Sequence, residues 1–346
     1  MQSLSWRENM KNLVEKILEK NKCVGSSLIL AVSGGSDSMC MLRLIANLAP
    51  KLNLRLIIAH VNHSLRGKES DADEKFVIAE AKRLELQIET KKINVARFKQ
   101  ANKLNLEEAA RIKRYEFLRR VRSEYKAKFI VLAHNRTDNA ETVLFNFIRG
   151  SSLRGLSGMT EKNGDLLRPL LSFDKKEIEK YCKTHQIKFR VDKTNIDTNL
   201  KRNLIRHKLM PQILKINPGF NRIMAKKSRY FGEVHKFLSN LAKNWITRNC
   251  KRATTKKIIC DSEKLRSQED FLKKLIIEKI YEYFNKSTRD LESIHIDELL
   301  SVINKNVSNK QKQIGSRIGV KKIRGQIIFY KPCLKTQTAI NLLSNE

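Results

Sequence analysis

Residues 33–38 read Ser-Gly-Gly-Ser-Asp-Ser and follow the apolar run Leu28-Ile29-Leu30-Ala31-Val32. A chain with 13 glycines in 346 residues places two of them side by side at the exit of this run. Paired glycines let the backbone approach a ligand closely and adopt positive φ. Free N–H groups at a helix start, together with the helix dipole, favour an anion. Ser33, Ser36 and Ser38 add hydroxyl donors, so the loop Ser33, Gly34, Gly35, Ser36 is expected to hold phosphate. Asp37 is the odd member, because a bare carboxylate repels phosphate. It fits a Mg²⁺ ligand or a group acting on the reacting atoms. No Gly-Lys-Ser/Thr follows, which excludes a Walker P-loop. An ordinary Ser/Gly turn is the plain alternative, and the buried run before it argues against that.

Other polar residues recur with spacings suited to chemistry. Asp138 and Glu141 stand three apart, on one face of a helix, where paired carboxylates could hold a cationic substrate or form only a solvated patch or helix cap. Arg202 and Arg206 are four apart and suit a carboxylate or a phosphate, or a solvated basic face. Arg111 and Arg114 share a helix face and could meet phosphate or bridge to Glu107 or Glu108. His60 and His63 form H-x-x-H, but no third ligand lies near in sequence, so zinc is not expected. His60 and Asn62 are expected instead to line a nucleotide pocket. His134 holds the matching place after a later apolar run, with a packed loop histidine as the alternative.

These clusters need elements to carry them. Apolar runs at 28–32, 54–59 and 129–133, and the segment 87–93, read as strands. Residues 1–20, 39–48, 71–86, 106–123 and 138–148 read as helices. Short strands alternating with helices imply an α/β fold, a doubly wound and mainly parallel sheet covered on both faces. Such sheets bind ligands beyond the carboxyl ends of their strands, where the glycine loop, His60 and His134 all fall. The pattern changes near Pro211 and Pro218. Phe231, Val234, Leu238, Leu241 and Trp245 recur at helical spacing, and Gly315, Gly319 and Gly325 punctuate β-branched runs up to Tyr330. The division expected is a first domain over 1–215 and a second, mostly helical domain over 216–346 ending in a small β region.

The chain carries 70 Lys+Arg against 36 Asp+Glu, a formal charge of +34. The excess is spread over both parts, and residues 301–340 hold nine basic residues and no acid. A polyanionic partner follows from that potential, with salt-dependent binding, although a lysine-rich composition alone would also produce it. No apolar run approaches the roughly 18–20 residues that span a bilayer. Nor does the start of the chain carry a signal-peptide core, so a soluble cytoplasmic protein is expected. Six scattered cysteines without a C-x-x-C pair speak against a zinc site or a disulfide scaffold and for a reducing compartment.

The Ser33–Ser38 loop resembles that of the PP-loop ATP pyrophosphatases, which cleave ATP between the α and β phosphates. Four further segments narrow the resemblance. They are His60-Val61-Asn62-His63-Ser64-Leu65-Arg66, Asn105 to Arg111 with Arg114-Tyr115, Ala133-His134-Asn135 through Asp138 and Glu141-Thr142, and Asp192 to Asp197 with Arg202 to His207. In order and spacing these resemble tRNA(Ile)-lysidine synthetases over about residues 25–220. The resemblance implies ATP and Mg²⁺, free L-lysine, and tRNA(Ile) with a CAU anticodon. The cytidine at the first anticodon position would be adenylated and then attacked at C2 by lysine.

It further implies roles for single residues. Asp37, Arg111 and His134 would be catalytic, and Ser33 to Ser38 with His60 and Asn62 would bind ATP. Asp138, Glu141 and Arg206 would bind lysine, and Arg114 and Arg202 would contact tRNA, with Asp37 on the metal. Thr137 and Asn139 depart from the family's usual Asp and Gln. A PP-loop tRNA thiolase and an inactive basic RNA-binding protein remain as alternatives, and a homodimer is left open.

Overall fold

The computed structural model describes residues 6–62, 67–102, 105–190, 201–287, 291–305 and 310–332. His63 to Arg66, Asp192 to Asp197 and Cys333 lie outside the described residues. Two compact units divide the chain at Gly232 and Glu233, inside one long helix rather than at a loop.

The first unit begins with helix α1 (Trp6–Lys20), strand β1 (Ser27–Ala31), α2 (Ser36–Leu52) and β2 (Arg55–Asn62). Then come α3 (Lys68–Arg83), β3 (Gln87–Lys92), α4 (Val95–Asn102), α5 (Leu106–Glu124) and β4 (Phe129–Val131). After α6 (Arg136–Ile148) and the single turn α7 (Leu153–Leu156), two short strands follow, β5 (Lys162–Asn163) and β6 (Leu166–Leu167), and then α8 (Lys175–Thr184). The sheet order is β3-β2-β1-β4-β6-β5, parallel except for β5. This is the doubly wound α/β arrangement expected.

Why the strands are apolar throughout is clear from their two faces. Leu28, Leu30, Ile58 and Val131 face one core with α2 and α8 residues such as Leu44, Leu48 and Ile178. Ile29, Ile57, Ala59 and Ile130 face the other, against Phe117, Leu118 and Val121 of α5. Successive strand side chains point to opposite faces, so a strand covered twice shows no alternation. Because β2 lies on one side of β1 and β4 on the other, the chain reverses its winding direction between β1 and β4. A crevice opens at such a point beyond the strand ends.

The first unit closes with α9 (Lys201–Leu204), one wide π-helical turn (Ile205–Leu209) and α10 (Met210–Ile216). Helix α11 (Phe220–Asn249) starts in the first unit and ends in the second.

The second unit contains more strand than its sequence suggested. Strands β7 (Cys250–Thr254) and β8 (Lys257–Asp261) come next, followed by α12 (Ser262–Arg266), α13 (Asp270–Asn285) and α14 (Ser293–Asn304). Strands β9 (Gln311–Ile314), β10 (Ile318–Ile323) and β11 (Gln326–Tyr330) complete it. The glycine-punctuated segment therefore joins β7 and β8 in a five-stranded antiparallel sheet, order β7-β8-β11-β10-β9. Ile258, Cys260, Val320, Ile327 and Phe329 on one face pack against Ile277, Ile280 and Leu299 of the helices.

The cysteine spacing spoke against a disulfide scaffold, yet one disulfide is present among the described residues. Cys250 and Cys260 are opposite each other in the β7–β8 register and form a disulfide. Adjacent strands bring together two cysteines that no local motif links. Cys23, Cys40 and Cys182 are free and buried.

Candidate active site

The glycine loop leaves β1 and enters α2 as the sequence implied. Gly34 holds φ at +90°, and Gly35 is the N-cap residue in extended backbone. Only Gly34 thus needs the conformational freedom of glycine. Ser38 ties the loop to itself. Its hydroxyl donates to the Gly35 carbonyl at 2.9 Å, accepts from the Ser33 N–H at 3.2 Å, and lies 3.2 Å from Ser33 Oγ. The Arg190 N–H donates to the Gly34 carbonyl at 3.0 Å. The N-cap side of α2 carries no side-chain cap, so its N-terminal donors keep their capacity for an external acceptor.

A lysine from far along the chain completes the loop. Lys175, the first residue of α8, donates from Nζ to Ser36 Oγ and to Asp37 Oδ2, each at 2.7 Å. Burial raises the Asp37 pKa, and the Lys175 charge only partly opposes that. Its second oxygen, Oδ1, is buried and closes no hydrogen bond, although the nearby Asn135 amide still helps the charged form.

His60 and Asn62 stand at the end of β2, both nearly inaccessible. His60 donates from Nδ1 to the Val32 carbonyl at 2.8 Å, which leaves Nε2 as an acceptor, buried and without a partner. Burial lowers its pKa, so the ring is neutral. Asn62 is differently employed: its amide donates to Asp71 Oδ1 at 2.9 Å and Glu74 Oε2 at 2.8 Å. It anchors the start of α3 to β2, and its amide N–H groups are therefore spoken for.

Across the crevice, β4 runs into Ala133-His134-Asn135 and then α6. Asn135 caps α6 in a reciprocal box: its Oδ1 accepts from the Asp138 N–H at 2.9 Å while Asp138 Oδ2 accepts from the Asn135 N–H at 3.1 Å. The other Asp138 oxygen, Oδ1, takes a 2.7 Å bond from Arg206. Arg206 also grips Glu141, with contacts of 2.9, 3.0 and 2.7 Å. Glu141 is 2% exposed. Burial raises its pKa and Arg206 pulls it back. Burial works against the charge on Arg206 too, yet the two carboxylates outweigh it and hold the guanidinium firmly protonated. Asp138 is thus cap and ion-pair partner at once. Arg202, one turn before Arg206, donates to Thr142 Oγ1 at 3.2 Å.

The two departures from the family pattern have structural employment. Thr137 Oγ1 accepts from the Lys175 N–H and from Asn221 Nδ2, both at 3.3 Å. Asn139 receives the Met159 N–H at 2.7 Å and donates to Ser228 Oγ at 3.2 Å. Gly158 is pressed against it: a Cβ there would come within 2.4 Å of Asn139 Oδ1.

Arg111, Arg114 and Arg119 surround the ring of Tyr115, with guanidinium carbons 5.9, 5.3 and 5.7 Å from its centroid. Stacking of this kind keeps cations on one helix face. Arg114 Nε is buried without an acceptor. Sequence reasoning missed Lys175 and Arg168. The latter is 6% exposed, just after β6, and donates from Nε to His134 Nδ1 at 3.2 Å and from a terminal N to the Thr160 carbonyl at 3.0 Å. Neither had a local signal, since each reaches its partner across more than 30 residues of chain.

Among the described residues no helix is long and apolar enough to cross a membrane, and no group of three metal-ligating side chains occurs.

Against known proteins, the PP-loop domain family model matches residues 6–213. The tRNA(Ile)-lysidine synthase of Clostridium acetobutylicum is 33% identical over 309 residues, covering 87% of this chain and 66% of that protein. The enzyme of the same name from Thermosipho africanus is 39% identical over 232 residues, covering 67% of this chain and 54% of that one. The chain therefore spans two thirds or less of the length of these relatives. Among solved structures, the U34-tRNA thiolase of Methanococcus maripaludis with its [4Fe-4S] cluster superimposes with a TM-score of 0.55 at 20% identity. That match covers 65% of this chain and 79% of the thiolase, and it concerns the fold alone.

Proposed function

Because this chain belongs to the PP-loop domain family, we propose that it uses ATP to join free L-lysine to C2 of the first-anticodon cytidine in tRNA(Ile) with a CAU anticodon. In the first step the cytidine O2 attacks the α-phosphorus of ATP and pyrophosphate leaves. In the second the ε-amine of lysine attacks C2, loses a proton, and AMP leaves. The relatives named tRNA(Ile)-lysidine synthase support this reading.

The observation that carries it is the charge pattern of Asp138, Glu141 and Arg206. Two carboxylates clasp one guanidinium at 2.7 Å each, a set with formal charge −1. Lysine carries two ammonium groups and one carboxylate, a formal +1. The set is the mirror of the substrate, and it lies at the carboxyl end of β4. On the other side of the crevice, Ser33 to Ser38 offer N–H and O–H donors to phosphate. Lys175 supplies the cation that this loop lacks in its own sequence.

Mg²⁺ fits here through Asp37, whose buried Oδ1 lacks a partner. This ion needs only one or two carboxylates when phosphate oxygens and water complete its shell. Bound there, it would neutralise charge on the departing pyrophosphate. Adenylation turns a poor leaving oxygen into a good one. The amine, with an ordinary pKa near 10.4, must be neutral when it attacks. We assign the chemistry to residues 1–215 and RNA contact to 216–346, where 27 Lys+Arg outnumber 12 Asp+Glu.

The test is to mix the purified chain with ATP, Mg²⁺, labelled lysine and a tRNA(Ile) transcript bearing CAU. RNA-dependent lysine incorporation with matched AMP release supports the proposal, and its absence at low salt rejects it. Raising salt should weaken RNA binding steeply, as phosphate contacts require.

A further inference from the structure

His134 has no assigned protonation state in the reaction above, and Arg168 has no role in it. Their contact decides the first and supplies the second. A guanidinium Nε can only donate. Arg168 Nε lies 3.2 Å from His134 Nδ1, so Nδ1 presents its lone pair and the ring proton resides on Nε2. Which nitrogen of a histidine carries the proton is set by the bond the other one makes.

Arg168 is well placed to impose this. It is 6% exposed and stands at the exit of β6, the strand beside β4. Its terminal nitrogen is fixed on the Thr160 carbonyl at 3.0 Å, and the Tyr115 hydroxyl engages it from α5. A side chain held from two further sides cannot turn away from His134. Nε2–H on the far side of the ring is then the one N–H the ring has to give.

We propose that Arg168 is a positioning residue that locks His134 in the Nε2–H tautomer, making His134 a hydrogen-bond donor to a substrate oxygen that gains negative charge. His134 is thereby excluded as the base that takes the proton of the attacking amine. The inference deepens the proposed function and rests on it for the identity of that oxygen. Supporting it, burial pushes the His134 pKa down to about 4, with Arg168, Arg114 and Arg202 acting in the same direction against Asp138. The ring is therefore neutral near pH 7 and has a single N–H to give. A donor aimed at developing charge contributes more in a water-poor crevice than in solution.

The experiment is a long-range ¹H–¹⁵N correlation on the full chain labelled with ¹⁵N-histidine at pH 7, with His134 identified by its loss in His134→Gln. The proposal requires a protonated Nε2 and an unprotonated Nδ1 in the unsubstituted protein. A protonated Nδ1 overturns it, whether or not Arg168→Met folds. In Arg168→Met the lone-pair constraint is gone, so the two tautomers should mix. Turnover at saturating ATP should fall by about tenfold or more while KM for ATP stays within about twofold. Arg168→Lys keeps a donor and should recover part of both.

An Arg168→Met protein with an unchanged tautomer or unchanged turnover also overturns the proposal. The tautomer is read without substrates, so its outcome is distinct from that of the lysine assay. A chain with Nε2–H that transfers no lysine rejects the function and leaves the locked tautomer standing.

Discussion

Replacing Arg206 with methionine keeps most of the apolar stem but removes every donor that steadies Asp138 and Glu141. Three hydrogen bonds to Glu141, at 2.7–3.0 Å, would disappear, together with one to Asp138 at 2.7 Å. Glu141 would be left as a carboxylate at 2% exposure. Removing one partner of a buried ion pair costs roughly 3–5 kcal/mol. Two facts reduce the figure: the Arg206 side chain is 32% exposed, so solvent already screens part of the pair, and Glu141 can take up a proton. We therefore expect about 2–3 kcal/mol at pH 7, or a fall in melting temperature of roughly 4–12 °C for a unit of this size.

The pH dependence has a definite sign. Burial raises the folded pKa of Glu141 above its ordinary 4.5, and more so without Arg206. A raised carboxyl pKa contributes stability below the unfolded value and loses it as pH rises through the folded one. The variant should accordingly regain ground on acidification. Adding Glu141→Gln to Arg206→Met should restore part of the loss, with a coupling of at least about 1 kcal/mol in a double-mutant cycle. Thermal melts of the four proteins at pH 7 and pH 5.5 are the assay. Losses that simply add, or a penalty that grows towards acid, would refute the reasoning.

Other expected outcomes can be checked on the same chain. Gly34→Ala should cost about 1–2 kcal/mol by melting, because φ is +90° and a side chain there is strained. Its Cβ would meet Val77 and Phe76 only at ordinary contact distances. Gly35→Ala, with φ near −75°, should melt almost unchanged. Lys175→Met should weaken ATP binding about tenfold or more by calorimetry, through loss of the cation that reaches the loop from α8. His60 and His134 both have pKa values held below the ordinary 6.5 by burial. Their unfolded forms bind protons first, so stability should fall as pH drops from about 6.5 to about 4. His134→Gln should flatten that slope in melting curves.

The first unit was legible because its signals are local. A short apolar run, two glycines, hydroxyls and a helix start are contiguous, and one strand ending fixes where the loop points. The carboxylate pair on α6 was visible for the same reason. What stayed hidden came from register and reach. Strand β7 has no apolar alternation, since Lys251, Arg252 and Thr254 are exposed; only pairing with β8 makes it a strand. The Cys250–Cys260 link needs that pairing too. Lys175 and Arg168 look like surface cations in the sequence, and only the return of the chain past the strand ends makes them part of the crevice. Asn62 carries an employment that its position did not announce: two carboxylates of α3 hold its amide.

The wide turn Ile205–Leu209 has a consequence for how such a chain can change. A turn of this kind holds one residue more than the helical turn it replaces, and one residue corresponds to a rotation of about 100°. Arg206 sits inside that insertion, so its heading depends on a count as well as on an identity. Deleting a single residue there would leave a straighter rod and every arginine intact, yet swing this guanidinium away from both carboxylates. Length, at this spot, is as much a determinant of the ion pair as charge.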